Sequence, residues 1–190
     1  MKAYEKLAFV GDVGSGKSTI IRTLSEISAV DTDRRSTVDI GKEFTTIGID
    51  YGRISLGDDL ALGLYGVPGQ KRYSMLWDHV NQSLWGIAFM VRSSAEPSIE
   101  NLDAVISHFD PAASDTPFVV AISHADISPA DQLEHEVDVY SDYLKACSLP
   151  GTVMTVDCTS FESSRNIPLL VNSIHYQRLR LGQSDDKGNE

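Results

Sequence analysis

Residues Gly11-Asp12-Val13-Gly14-Ser15-Gly16-Lys17-Ser18 constrain the fold more than any other stretch of the chain. Their spacing, a glycine, a run of free positions and then Gly-Lys-Ser, is that of a phosphate-binding loop. The apolar run Lys6-Leu7-Ala8-Phe9-Val10 before it reads as a buried strand. Thr19-Ile20-Ile21-Arg22-Thr23-Leu24 after it reads as a helix. That order of strand, glycine-rich turn and helix is the context the spacing needs. The glycines let the backbone curl so that the N–H groups of Val13, Gly14, Ser15, Gly16 and their neighbours face an anion. The helix start, through Ser18 and Thr19, adds a favourable field. Lys17 suits the outer phosphates of a nucleotide, and the Ser18 hydroxyl suits Mg²⁺.

The rest of the chain alternates in the same way. Strand-like runs stand at Leu7–Val10, Ile47–Ile54, Leu60–Tyr65, Gly86–Val91, Phe118–Ile122 and Val153–Val156. Helical stretches fit Lys17–Ser28, Tyr73–Ser83, Ser98–Phe109, Pro129–Ala146 and Asn166–Leu181. The pattern predicts an α/β fold: a six-stranded, mostly parallel sheet with helices on both faces. The short turn Ser55–Asp59 makes Ile47–Ile54 and Leu60–Tyr65 a hairpin, so one edge strand is expected to run antiparallel. Residues 1–181 read as one domain, and 182–190 as a disordered acidic tail. Ligands of such sheets bind at the carboxyl ends of the strands.

Composition removes several classes. The formal net charge is −11 over 190 residues with no long basic block, which argues against nucleic acid as a partner. Two cysteines, Cys147 and Cys158, form no disulfide or zinc pattern, so a cytoplasmic setting is expected. No apolar run approaches a membrane span, Lys2 excludes a myristoylation signal, and no cysteine near the C-terminus offers a prenyl site; no lipid anchor is predicted. The acidic set Asp131, Glu134, Glu136, Asp138 and Asp142 reads as a solvated helix face.

Further motifs follow in an order that resembles the Ras-like small GTPases across about residues 5–180. Thr45-Thr46-Ile47-Gly48-Ile49-Asp50 resembles the first switch of that family, and Gly66-Val67-Pro68-Gly69-Gln70-Lys71-Arg72-Tyr73 the second. Ser123-His124-Ala125-Asp126 stands where the family has Asn-Lys-x-Asp, and Thr159-Ser160-Phe161 where it has Ser-Ala-Lys. The resemblance implies GTP/GDP and Mg²⁺ as ligands, with Ser18 and Thr46 on the metal. Gly69 would give its N–H to the γ-phosphate. Gln70 would orient the attacking water, beside Lys17 and Thr46. Asp126 would accept from guanine N1–H and N2–H₂, a donor pair adenine lacks. His124 would cover the base, and Thr159 or Ser160 would add contacts.

This chain also departs from the family. Gly66 replaces an Asp that holds Mg²⁺ through water, so weaker metal binding is expected. Val13 stands where glycine is common; it either crowds the γ-phosphate and slows hydrolysis or packs under the loop. Ser123 replaces an Asn that ties the base site to the phosphate loop. Val-Pro-Gly-Gln without the Asp is similar to the bacterial gliding-motility MglA-type branch. That likeness implies an effector docked through the switch regions, a roadblock-domain regulator, and a role in polarity or motility. The same departures allow a second expectation: a nucleotide-bound scaffold with negligible hydrolysis.

Overall fold

Alternation along the central strands decides the architecture. In β1 (Ala3–Gly11), Leu7 and Phe9 point to one face while Ala8 and Val10 point to the other, and all are fully buried. A strand buried on both faces must be covered by helices twice. The computed structural model describes residues 3–31, 49–58, 60–94, 96–97, 99–149 and 151–185. The remaining strands are β2 (Val30–Asp31), β3 (Asp50–Leu56), β4 (Leu60–Pro68), β5 (Leu84–Arg92), β6 (Phe118–Ser123) and β7 (Thr152–Val156). The helices are α1 (Lys17–Leu24), α2 (Ser74–Asn81), α3 (Glu100–Phe109), α4 (Ala130–Ala146), α5 (Phe161–Ser164) and α6 (Asn166–Asp185).

The sheet order is β2-β3-β4-β1-β5-β6-β7. β4, β1, β5, β6 and β7 run parallel, and β3 pairs antiparallel with β4. This is the six-stranded sheet expected, extended at its edge by the two-residue β2, antiparallel to β3. Leu7, Phe9, Met90 and Ala121 pack with Ile20 and Ile21 of α1 and Val171 of α6 on one face. Ala8, Val10, Phe89 and Val120 pack with Trp77 of α2, Val105 of α3 and Tyr140 of α4 on the other.

Several boundaries differ from the sequence reading, two of them at helix ends. α1 stops at Leu24 rather than Ser28, because the chain turns to join the sheet edge. Glu26 N–H donates to Arg53 O at 2.8 Å, and Arg53 N–H donates to Ser25 Oγ at 3.1 Å. α6 continues to Asp185, past the domain boundary expected at 181, and 186–190 lie outside the described residues. Among the described residues no helix is long and apolar enough to cross a membrane.

One expected solvated residue is buried. Glu136 of α4 is 0% exposed. Its carboxylate accepts from Ser93 Oγ at 2.7 Å and Ser94 N–H at 2.6 Å, fastening the chain just beyond β5. A carboxylate can be buried there because both oxygens are satisfied.

Register places the site. Gly11 stands beside Pro68, Arg92 beside Ser123, and Ser123 beside Val156. The loops after β1, β4, β6 and β7 therefore emerge along one edge, as open α/β sheets require.

Candidate functional site: a phosphate loop and a base-binding turn

The loop after β1 is built as its spacing predicts. Gly16, just ahead of α1, has φ +92, a left-handed conformation that other residues adopt only under strain. A Cβ there would also lie 2.6 Å from Cys158 Sγ. Cys158 is buried, and desolvation pushes its thiol up to about 11, with Asp157 and Asp126 adding to the effect. It acts as packing under the loop, without the thiolate character that reactivity needs. Ser123 Cβ is the next neighbour of that imagined Cβ, at 3.6 Å. Gly16, Cys158 and Ser123 thus join the phosphate loop to the loops after β6 and β7.

Lys17 folds back over the loop. Its ammonium donates to Asp12 O at 2.6 Å and to Ser15 Oγ at 3.4 Å. Burial lowers its pKa to about 8, although Asp50 and Asp12 both pull it upward. A part-buried ammonium held by neutral oxygens is poised for an anion of higher charge. Asp12 is itself tethered: Asn101 Nδ2, from α3, donates to both its carboxylate oxygens at 3.0 and 2.9 Å. Sequence reasoning missed this tie, because nothing local pairs positions 12 and 101. Val13 is 91% exposed, so it does not pack under the loop. Thr19 lies part-buried in the first turn of α1.

Ser18 Oγ donates to Asp50 Oδ2 at 2.6 Å. Thr45, Thr46, Ile47 and Gly48 lie outside the described residues. The Ser18 hydroxyl and the Asp50 carboxylate are oxygen ligands of the kind a hard cation prefers. Among the described residues no three His, Cys, Asp or Glu side chains cluster as a metal site. A Mg²⁺ at Ser18 fits only if phosphate and water complete its shell, which is how Mg²⁺ is commonly held.

The second-switch stretch leaves the end of β4. Gly69 lies close against the end of β1. Its N–H donates to Gly11 O at 2.8 Å, and a Cβ would lie 2.8 Å from Gly11 Cα. The N–H assigned to a γ-phosphate is therefore committed to β1 in this structure. Gln70 is part-buried and opens the 3₁₀ turn Lys71–Tyr73. In α2, Leu76 and Trp77 are core and Met75 is exposed. Trp77 Nε1 donates to Pro68 O at 2.7 Å, which fixes the helix to the strand end.

At the other end, Ser123 is buried and donates its hydroxyl to Val91 O at 3.0 Å. Ser123 Oγ and His124 Nδ1 are 2.8 Å apart. His124 has φ +62, an uncommon conformation for a non-glycine residue. Asp126 lies exposed in the turn Ala125–Ile127 that follows. The Thr159 N–H and hydroxyl both donate to Asp157 Oδ1, at 2.9 and 2.7 Å, and these bonds lower the Asp157 pKa. Ser160 Oγ caps α5 by accepting from Ser163 N–H. Both hydroxyls expected near a base are thus engaged in shaping their own loop, and Asp157, which sequence reasoning passed over, is its organiser.

No protein-family model matches this chain, and neither does any curated protein. Solved structures do. The bacterial selenocysteine-specific elongation factor EF-Sec superposes with a TM-score of 0.68 at 17% identity, over 93% of this chain and 29% of that one. Aquifex aeolicus Era bound to GDP·AlF4⁻ gives 0.64 at 16%, over 93% and 57%. The small GTPase Arl6 (BBS3) from Trypanosoma brucei, with the bound nucleotide analogue GppNp, gives 0.65 at 15%, over 92% and 99%. This chain therefore spans less than a third of the elongation factor, just over half of Era and nearly all of Arl6. At these identities the likeness is one of fold, and that fold is the one shared by P-loop GTPase domains.

Proposed function

We propose that this chain is a cytoplasmic guanine-nucleotide switch that binds GTP with Mg²⁺, hydrolyses it slowly and docks an effector through residues 45–48 and 66–72. The observation that carries the reading is the Lys17 ammonium, part-buried inside the Gly11–Ser18 loop on the neutral carbonyl of Asp12. Lys17 holds the β- and γ-phosphates and offsets charge that develops on the transferred phosphoryl group. Gln70 orients a water for in-line attack. Ser18 and Thr46 hold Mg²⁺, which when bound supplies Lewis-acid stabilisation of the phosphate oxygens. The Gly69 N–H leaves Gly11 for the γ-phosphate, so the second switch responds to the presence of that phosphate. Asp126 selects guanine, His124 covers the base, and the loop at Thr159 and Ser160 closes over it. The Val-Pro-Gly-Gln sequence, without a preceding Asp, supports the MglA-type branch and with it a roadblock-domain regulator.

A second reading is a scaffold that keeps nucleotide and does not turn it over. Gly66, which carries no carboxylate, and the exposed Val13 motivate it. Phosphate release measured with and without an added partner separates the two.

The base assignment is tested by Asp126→Asn. A carboxylate matches the donor pair of guanine; an amide donor instead matches the second carbonyl of xanthine. Affinity for GDP is expected to fall about ten- to a hundredfold, and affinity for XDP to rise. Unchanged GDP affinity would place the base elsewhere.

A further inference from the structure

We propose that Asp50 supplies the carboxylate of the cation site that position 66 does not, so that the acidic group stands on β3 instead of β4. This inference rests on the nucleotide-binding reading and names a residue that reading lacks.

Three observations converge on Asp50. It is the first residue of β3, and the antiparallel register sets it directly opposite Gly66 of β4. Its Oδ2 accepts the Ser18 hydroxyl at 2.6 Å. The two positions also share one space: a Cβ at Gly66 would lie 3.0 Å from Asp50 Cβ, 3.0 Å from Asp50 Oδ2 and 2.9 Å from Ile21 Cδ1. A side chain at 66 would therefore press on the observed Asp50 carboxylate, which would have to give way by a few tenths of an ångström. Glycine at 66 clears the room in which the Asp50 carboxylate sits.

The chemistry follows from the donor direction. Ser18 gives its proton to Asp50, so its oxygen lone pairs remain for a cation. The carboxylate brings negative charge beside that oxygen and can accept from water on the metal. Mg²⁺ commonly takes one or two carboxylates, phosphate oxygens and several waters. An outer carboxylate that orients a ligand typically changes metal affinity ten- to a hundredfold. Gly66 is then no loss of the cation site. It is half of an exchange between paired positions on adjacent strands, and the weaker metal binding expected from Gly66 alone does not follow.

The test is calorimetric titration of the full chain with GDP and GTPγS, in Mg²⁺ and in EDTA, with Mn²⁺ affinity of the GDP complex read by electron paramagnetic resonance. Four proteins are compared: wild type, Asp50→Asn, Gly66→Asp, and the exchange Asp50→Gly with Gly66→Asp. Asn keeps the size and an acceptor for Ser18, so Asp50→Asn should fold and bind GDP in EDTA as wild type does. Its gain from Mg²⁺ should fall at least about tenfold, and its Mn²⁺ affinity likewise. Gly66→Asp alone should be destabilised, and the exchange should recover both folding and the Mg²⁺ gain.

A full Mg²⁺ gain in Asp50→Asn would overturn the proposal and leave nucleotide binding standing. An exchange variant that binds GDP in EDTA yet gains nothing from Mg²⁺ would overturn it as well. Wild type that binds neither nucleotide in either buffer would instead remove the underlying reading, and this inference with it.

Discussion

Lys17→Ala is expected to cost at least about a hundredfold in GTP affinity, the largest single effect among the site residues. The ammonium is the one positive side chain in the phosphate loop, and charge-assisted bonds to phosphate are among the strongest available to a side chain. Unchanged GTP affinity would remove the phosphate-loop account. The same residue predicts a result of opposite sign for the nucleotide-free protein. Burial lowers the Lys17 pKa to about 8 from an ordinary 10.5, so the folded state disfavours the charge. Below pH 8 both folded and unfolded chains hold the proton, and the folded chain bears the whole cost. Between about 8 and 10.5 the folded chain releases it first, and stability relative to a neutral residue recovers. Lys17→Met keeps the apolar stem and should stabilise the free protein near pH 7 by about 1–2 kcal/mol, allowing for partial exposure. That advantage should shrink steadily towards pH 10.5. A difference in melting temperature that stays flat between pH 7 and 10 would contradict the buried-ammonium account.

Gly16→Ala should be the most damaging substitution to the fold of the site. Two independent costs add. A non-glycine residue at φ +92 is strained by about 1–2 kcal/mol. The new methyl also meets Cys158 Sγ at 2.6 Å, an overpacking that costs about 1–3 kcal/mol because Cys158 is buried. Together they predict a fall in melting temperature of about 5–15 °C for a domain of this size. Combining Gly16→Ala with Cys158→Ala should relieve the second cost and leave the first. A double-mutant cycle is therefore expected to show favourable coupling of about 1–2 kcal/mol. Coupling near zero would mean that Cys158 does not underlie the loop.

What could be read from the sequence was local. The strand, glycine-rich loop and helix of residues 3–24 were legible because their signal is carried by neighbours: an apolar run, glycines for the curl, and a helix that starts at Lys17. The mostly parallel sheet and its antiparallel edge were legible because burial on two faces and a short hairpin turn leave few alternatives. The rest depended on contacts across the fold. Asp50 meets Ser18 through the register of β3 on β4, and no spacing in the sequence announces that pairing. Asn101 reaches Asp12 from α3 for the same reason. Glu136 sits in a run of acids that reads as a wetted face, yet its carboxylate is drawn inside by Ser93 and Ser94. Gly69 approaches Gly11 closely across β1 and β4, a contact that no sequence spacing shows.

The most direct test of the central claim is a calorimetric titration of the purified chain with GDP, ADP, GTPγS and ATPγS in the presence of Mg²⁺. The account predicts tight binding of both guanine nucleotides, with the adenine pair weaker by about a hundredfold or more. Equal binding of adenine and guanine nucleotides would contradict selection by Asp126. Failure to bind any of the four would contradict the account as a whole.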